Sequence, residues 1–324
     1  MLSHLKVVEL GMYLPLPYAG GVLRRFGAKV TKIEPPITGD PLKDFDLSAY
    51  DYLNSGKEIL YLDLKKEEDR KKVYETILSA DVVLNGFRRG FLKKMGIDYE
   101  GVKEKNPSCI YISLAGYEKG FKDGDKAGHD LNFVSLSGIM QDFAEQGKLF
   151  PFQLADMAGA LWAVIGVFYM LEMRRQTGKG GELDLSLFRS LLSFFPFFYA
   201  ASKGGGIESG IFSGKFACYN IYKAKDDKNI AFGCIERKFF KRALDVLRIS
   251  YDEEILYKPE HQEELIRNIS KVISQKEFAY WKELFEKEDI CVTPVLDKNG
   301  FYEYLKLQGL NEKAFKDFLF SPIT

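Results

Sequence analysis

The stretch LKVVEL GMYLPLPYAG GVLRRFGAKV TKIEPP, residues Leu5 to Pro36, decides the fold. Leu5–Leu10 is a short apolar strand. Leu16–Phe26 reads as a helix that stops at Gly27, where glycine can take the left-handed cap conformation. Ala28–Ile33 is a second strand, closed by Pro35 and Pro36. Strand, helix and strand within about thirty residues make a right-handed crossover, which requires parallel strands.

The same alternation continues downstream. Lys66–Ala80 reads as helix, Asp81–Leu84 as strand, Gly90–Lys94 and Tyr99–Lys105 as helix, and Cys109–Ala115 as strand. The fold class is therefore α/β, with a Rossmann-like large domain whose parallel sheet is covered on both faces. Ala158–Leu171 is the most apolar stretch, shorter than the roughly 20 residues a bilayer span needs. It reads as a core helix, with Gly178-Lys179-Gly180 as the turn after it. From Ser202 the texture changes: Gly204-Gly205-Gly206 begins a plausible linker. Strands at Cys218–Ala224 and Asn229–Ile235 then flank an Asp-Asp-Lys turn, followed by helices at Lys238–Arg248, Glu260–Ser274 and Lys276–Lys287. The expected division is 1–200 for the large domain, with 301–324 returning to it, and 201–300 for a smaller α+β domain.

Composition excludes several classes. The 324 residues carry 46 basic and 46 acidic side chains, so no net field draws the chain to nucleic acid or an anionic membrane. Short basic runs such as Lys103–Lys105 and Arg237–Arg242 read as solvated helix faces. Cys109, Cys218, Cys234 and Cys291 are widely spaced without a CxxC pair, which argues against metal and for reduced thiols in a cytoplasmic protein. No signal peptide is evident at the N-terminus. The first turn, Gly11–Gly20, lacks GxGxxG and is rich in proline and aromatics, which argues against a dinucleotide cofactor. Gly178–Gly180 lacks the upstream glycine and following hydroxyl of a phosphate loop.

Three histidines occur. His4 is near the terminus and His261 lies among charges, so both read as surface residues. His129 differs: it follows the polar, glycine-rich loop Glu118–Lys126, and loops leaving the strands of such a sheet carry sites. Asp156 opens the longest apolar helix, where a carboxylate often serves the orphan amides of the first turn. Glu236 ends a strand just as a helix begins and could likewise be a cap.

Taken in order, Phe87-Arg88-Arg89-Gly90, Gly128-His-Asp-Leu-Asn-Phe133, Leu154-Ala-Asp-Met-Ala-Gly159, Thr177–Gly180 and Gly233-Cys-Ile-Glu236 resemble the signature segments of the class III CoA-transferase (CaiB/BaiF) family. Val7–Pro36, Leu60–Lys65 and Cys291–Leu296 extend the resemblance over nearly the whole chain, and it is strongest to the alpha-methylacyl-CoA racemases. The resemblance implies a Rossmann-like large domain, a small domain, and a homodimer of interlocked open rings. It implies an acyl-CoA substrate and no cofactor beyond the coenzyme A carried as thioester. It places a CoA site on Leu62, Asp63, Leu64, Lys65, Gly86, Phe87, Arg88, Lys94, Gly128, Asp130, Leu131, Asn132 and Phe133.

Two chemistries share that scaffold. In transferases the aspartate matching Asp156 is a nucleophile that passes through an anhydride and an aspartyl-CoA thioester. In racemases it is paired with the histidine matching His129, and transferases commonly lack that histidine. This sequence has His129, Asp156 and Glu236 together, so racemase chemistry is the expectation. A non-catalytic acyl-CoA binding protein on the same scaffold is a third reading, which those three residues disfavour. Many members carry arginine at the place of Pro35 and glycine at the place of Leu16, and their tails run longer. Lys32 or Lys57 could replace the lost arginine.

Inverting a stereocentre beside a thioester requires removal of a weakly acidic proton from one face and return to the other, hence two groups. An imidazole, with an ordinary pKa of about 6.5, suits one role, and Glu236 could orient it. For Asp156 two effects compete: the helix N-terminus favours the ionised carboxylate, whereas apolar surroundings favour the protonated one. The intermediate is an enolate, for which an amide near the start of the Asp156 helix is the expected donor.

Overall fold

The computed structural model describes residues 2–122, 124–140, 148–149, 152–196 and 210–309. These fall into two compact units, the first running to Phe194 and the second taking up the chain from Phe195.

The first unit opens with β1 (Lys6–Leu10), α1 (Pro15–Arg25) and β2 (Lys29–Glu34). Pro15 begins α1 at a position whose amide has no helical partner to lose. Gly27 follows it at φ 102°. Then come α2 (Leu42–Phe45), α3 (Leu47–Asn54), β3 (Glu58–Tyr61), α4 (Glu67–Leu78) and β4 (Val82–Asn85). The unit continues through α5 (Tyr99–Val102), β5 (Ile110–Ala115), α6 (Asp130–Leu136), α7 (Leu154–Thr177), β6 (Gly181–Ser186) and α8 (Leu187–Leu192).

The six strands form one sheet in the order β3-β2-β1-β4-β5-β6, and all five pairings are parallel. Register is set by apolar runs that are buried on both faces, with Val7 opposite Val30 and Val82, and Val8 opposite Val83. One face buries Leu5, Val7, Ile110 and Ile112 under α1 and α7; the other buries Val8, Leu10, Val83 and Tyr111 with Val73 and Ile77 of α4. The strand order reverses between β1 and β4. A crevice therefore opens at their carboxyl ends, where open α/β sheets bind ligands.

Helix α7 lies close on the sheet because its inward side is small. A Cβ on Gly159 would stand 2.4 Å from a methyl of Leu187, and one on Gly166 would stand 2.7 Å from Leu183. Its outward side, Leu161, Trp162, Ile165, Phe168 and Tyr169, is exposed. The expected core helix is thus covered on one side only. By length and composition its 24 residues would also suffice to cross a membrane. Gly178, in the left-handed conformation, ends it as expected.

The second unit has an antiparallel sheet of β7 (Tyr219–Lys223), β8 (Asn229–Gly233) and β9 (Val292–Pro294) in that order. Helices α9 (Arg237–Val246), α10 (Gln262–Ile273) and α11 (Phe278–Glu286) bury Phe240, Leu265, Ile269, Trp281 and Phe285 with it. Helix α12 (Lys298–Leu307) groups with this unit, whereas a return of 301–324 to the large domain was expected; 310–324 lie outside the described residues. So does the Gly204–Gly206 linker. Strands β3 and β6 extend the sheet beyond the sequence expectation, and Gly90–Lys94 is not helical, only Lys93–Met95 forming a 3₁₀ turn.

Candidate active site

The carboxyl ends of β1, β4 and β5 surround a cavity of about 570 Å³. Gly11, Met12 and Tyr13 line it from the end of β1, Gly86, Phe87, Arg88 and Arg89 from that of β4, and Ala115 and Gly116 from that of β5. His129 and Asp156 both line it. Two residues 27 positions apart thus share one space, and the residue between them in the motif explains how. Asp130 Oδ1 accepts from the Ala155 amide at 2.7 Å and the Asp156 amide at 3.1 Å. One carboxylate caps the start of α7 while its backbone neighbour carries the imidazole.

Asp130 therefore works as a tether between the two segments. The expected enolate donor is corrected. All four leading amides of α7 have acceptors: Leu154 donates to Phe152 O, Ala155 and Asp156 to Asp130, and Met157 to Gln153 O. An oxyanion in this cavity needs a donor elsewhere.

The competition at Asp156 is resolved in favour of burial. Its carboxyl is pushed up to about 7, first by desolvation and then by the negative charge of Asp130. Burial also raises Asp130 itself, against the pull of the amides it caps.

Neighbouring residues shape the His129 loop. His129 is the N-cap of α6 and exposed; its amide donates to Asn132 Oδ1 at 2.9 Å. Phe133 is buried, with its ring edge-to-face on Tyr117 at 5.0 Å. Gly128 is required by that packing, since a Cβ there would come within 2.9 Å of the Phe133 ring. Leu131 is exposed. Of the expected 128–133 segment, Gly128 and His129 line the cavity, while Asn132 and Phe133 hold the loop.

The other expected binding residues divide similarly. Gly86, Phe87 and Arg88 line the cavity. Leu62–Lys65 follow β3 at the same edge of the sheet but line neither this cavity nor the one beside it. Leu62 and Leu64 pack on the core, and Asp63 Oδ1 accepts the Lys65 amide at 2.9 Å. Lys94 is exposed; Lys93 is the one that lines the adjoining cavity of about 390 Å³, which also takes in Arg88, Lys119 and Glu182.

Lys32 and Lys57 cannot stand in for the arginine absent at Pro35. Both are buried on Glu9, Lys32 on Oε1 at 3.0 Å and Lys57 on Oε2 at 2.7 Å. Lys32 also pairs with buried Asp40 at 3.0 Å and donates to Gly11 O at 2.5 Å. A Cβ on Gly20 would stand 2.0 Å from Glu9 Oε2, so α1 needs glycine there to pass the network.

Two residues at the site have roles that the sequence did not indicate. Arg89 forks onto Asp184 at 2.9 and 3.1 Å and donates to the carbonyls of Tyr117 and Gly124, pinning the loop that leads to His129. Tyr13 takes a left-handed backbone, φ 62°, a conformation that costs an L-residue about 1–2 kcal/mol. Its ring meets the imidazole of His129 edge-to-face at 5.8 Å. Nothing in a single sequence signals a left-handed tyrosine.

Glu236 belongs to the second unit. It is exposed at the N-cap of α9, and its side chain caps nothing. Among the described residues no group of three His, Cys, Asp or Glu is placed to hold a metal ion. The Cys109, Cys218 and Cys234 thiols are buried and pushed up to about 12, 11 and 12. In the basic run at Arg237–Arg242, Lys241 pairs with Glu253 and Arg242 forks onto Glu288.

Comparison with known proteins identifies the scaffold. Residues 2–311 match the description CoA-transferase family III. The chain belongs to that family. A CaiB/BaiF CoA-transferase family protein of Caenorhabditis elegans is 33% identical over 91% of this chain and 86% of its own. The human alpha-methylacyl-CoA racemase is 30% identical over 91% of this chain and 78% of its own. Acetyl-CoA:oxalate CoA-transferase of Acetobacter aceti is 28% identical over 90% and 80%. A CaiB/BaiF family protein from Brucella suis superposes with a TM-score of 0.82, at 25% identity over 95% of this chain and 87% of that one. The family III relatives thus include both racemases and transferases.

Proposed function

We propose that this family III enzyme is an acyl-CoA racemase of the alpha-methylacyl type, acting by two-base proton transfer through an enolate. The observation that carries the reading is the shared cavity of His129 and Asp156, with the Asp156 carboxyl raised to about 7. A carboxyl near neutrality accepts and donates a proton readily at working pH, as a racemase needs in its two directions. A transferase nucleophile is better served by a carboxylate ionised throughout.

In the proposed cycle one of the pair takes the proton from the carbon beside the thioester carbonyl. The C–H electrons pass into the enolate, and the other group returns a proton to the opposite face. Two groups are needed because one base does not reach both faces. Arg88, lining both cavities, and Lys93 in the second supply positive charge for the phosphates of coenzyme A. The thioester brings the only coenzyme, and the setting is cytoplasmic. The exposed apolar side of α7 supports a homodimer, since a contiguous apolar stripe of that kind marks an interaction surface.

The test is a panel of 2-methylacyl-CoA esters in deuterated water, with and without free carboxylic acids. Racemisation places solvent deuterium at the 2-position with no acid present. A new CoA ester formed from the added acid with no deuterium at the 2-position, and an enzyme thioester trapped at Asp156 by hydroxylamine, would establish CoA transfer instead.

A further inference from the structure

Tyr13 stands out because its strained backbone is held from below and its ring is spent on one neighbour. The amide of Tyr13 donates to Asp40 Oδ1 at 3.0 Å. Asp40 is buried, pairs with buried Lys32 at 3.0 Å, and Lys32 in turn grips the Gly11 carbonyl two residues before Tyr13. A buried ion pair thus clamps both sides of the Gly11–Tyr13 turn. Bulky residues keep a left-handed backbone only where the surroundings enforce it, and such sites cluster at functional positions. Here the result is an aromatic ring that lines the cavity and meets His129 edge-to-face, 5.8 Å between centroids and 82° between planes. His129, exposed at the head of α6, shares a capping box with Asn132, whose Oδ1 accepts the His129 amide at 2.9 Å, and Tyr13 meets the imidazole from the cavity side.

We propose that Tyr13 is a positioning residue, whose clamped ring holds the His129 imidazole in its orientation on the cavity wall. The ring carries this role, without the hydroxyl: aromatic edge-to-face contact needs only the six-membered face and edge. The network Glu9–Lys32–Asp40 acts through it, which gives those buried charges a purpose at the site.

The test combines site-resolved labelling of histidines by diethyl pyrocarbonate with turnover. Labelling is independent of the reaction; only the turnover arm rests on the racemase reading. Tyr13→Phe is expected to label at His129 and to turn over as the wild type does. In Tyr13→Leu the His129 labelling rate is expected to change about three-fold or more, with His4 unchanged as the internal standard. Its kcat for deuterium exchange is expected to fall about ten-fold with KM held within about two-fold, since a misaligned group costs rate before binding. Tyr13→Gly accepts the left-handed backbone without strain and serves if the leucine variant does not fold. Identical His129 labelling in all variants would overturn the inference, as would a loss in Tyr13→Phe equal to that in Tyr13→Leu. A labelling change with an unaltered exchange kcat would also overturn the positioning role, whereas a labelling change in an enzyme whose wild type shows no exchange would support the contact and count against the racemase reading instead.

Discussion

At the scale of single residues, Asp156 has a pH signature. Its folded value of about 7 lies above the ordinary 3.8, so the folded protein binds a proton that the unfolded chain releases in that interval. Proton binding then favours the fold, and that stability is present in acid and lost as pH rises through about 7. An ionised Asp156 costs the fold on the order of a few kcal/mol at pH 8. Asp156→Asn is therefore expected to melt higher than the wild type at pH 8 and no higher at pH 4. Equal melting differences at both pH values in a calorimeter would contradict the burial argument. The sequence showed both competing effects at this position and not their balance. The balance depends on Asp130, 26 residues away, and on how far the helix start is shut from water.

At the scale of elements, the site depends on where α6 and α7 begin. Asp130 joins them, so Asp130→Ala strands two amides at the head of α7 and is expected to cost about 1–2 kcal/mol of stability. Activity should fall further than that loss explains, because His129 and Asp156 are no longer tied together. Asp130→Asn keeps an acceptor oxygen and should recover most of the stability. Urea melts of the two variants check this, and equal stability of alanine and asparagine would contradict the tether. The inner strands were legible because Leu5–Leu10, Asp81–Leu84 and Cys109–Ala115 are apolar on both faces. Strand β6 was not: Gly181–Ser186 alternates as an edge strand should, with Glu182 and Asp184 on the exposed side, and lacks the continuous apolar run of the inner strands. Strand β3 is short, four residues, at the other edge. The motif Gly-His-Asp was visible in the sequence, but the partner of its aspartate lies on a separate helix.

At the scale of the whole molecule, the outer side of α7 predicts an assembly. Leu161, Trp162, Ile165, Phe168 and Tyr169 present one exposed stripe along the helix that carries Asp156. Apolarity alone made this helix look like core, since composition does not tell which side a neighbour covers. Ile165→Glu with Phe168→Glu is expected to turn a dimeric wild type into a folded monomer in sedimentation equilibrium. A wild type that is monomeric, or a double variant that stays dimeric, would contradict the proposed assembly. The central claim, that His129 and Asp156 serve opposite faces of one carbon, is tested most directly by exchange from each pure enantiomer of a 2-methylacyl-CoA in deuterated water. His129→Ala and Asp156→Ala should each abolish racemisation while retaining wash-in from only one enantiomer, and the surviving enantiomer should be opposite in the two variants. Loss of exchange from the same enantiomer in both variants, or racemisation that survives either substitution, would contradict it.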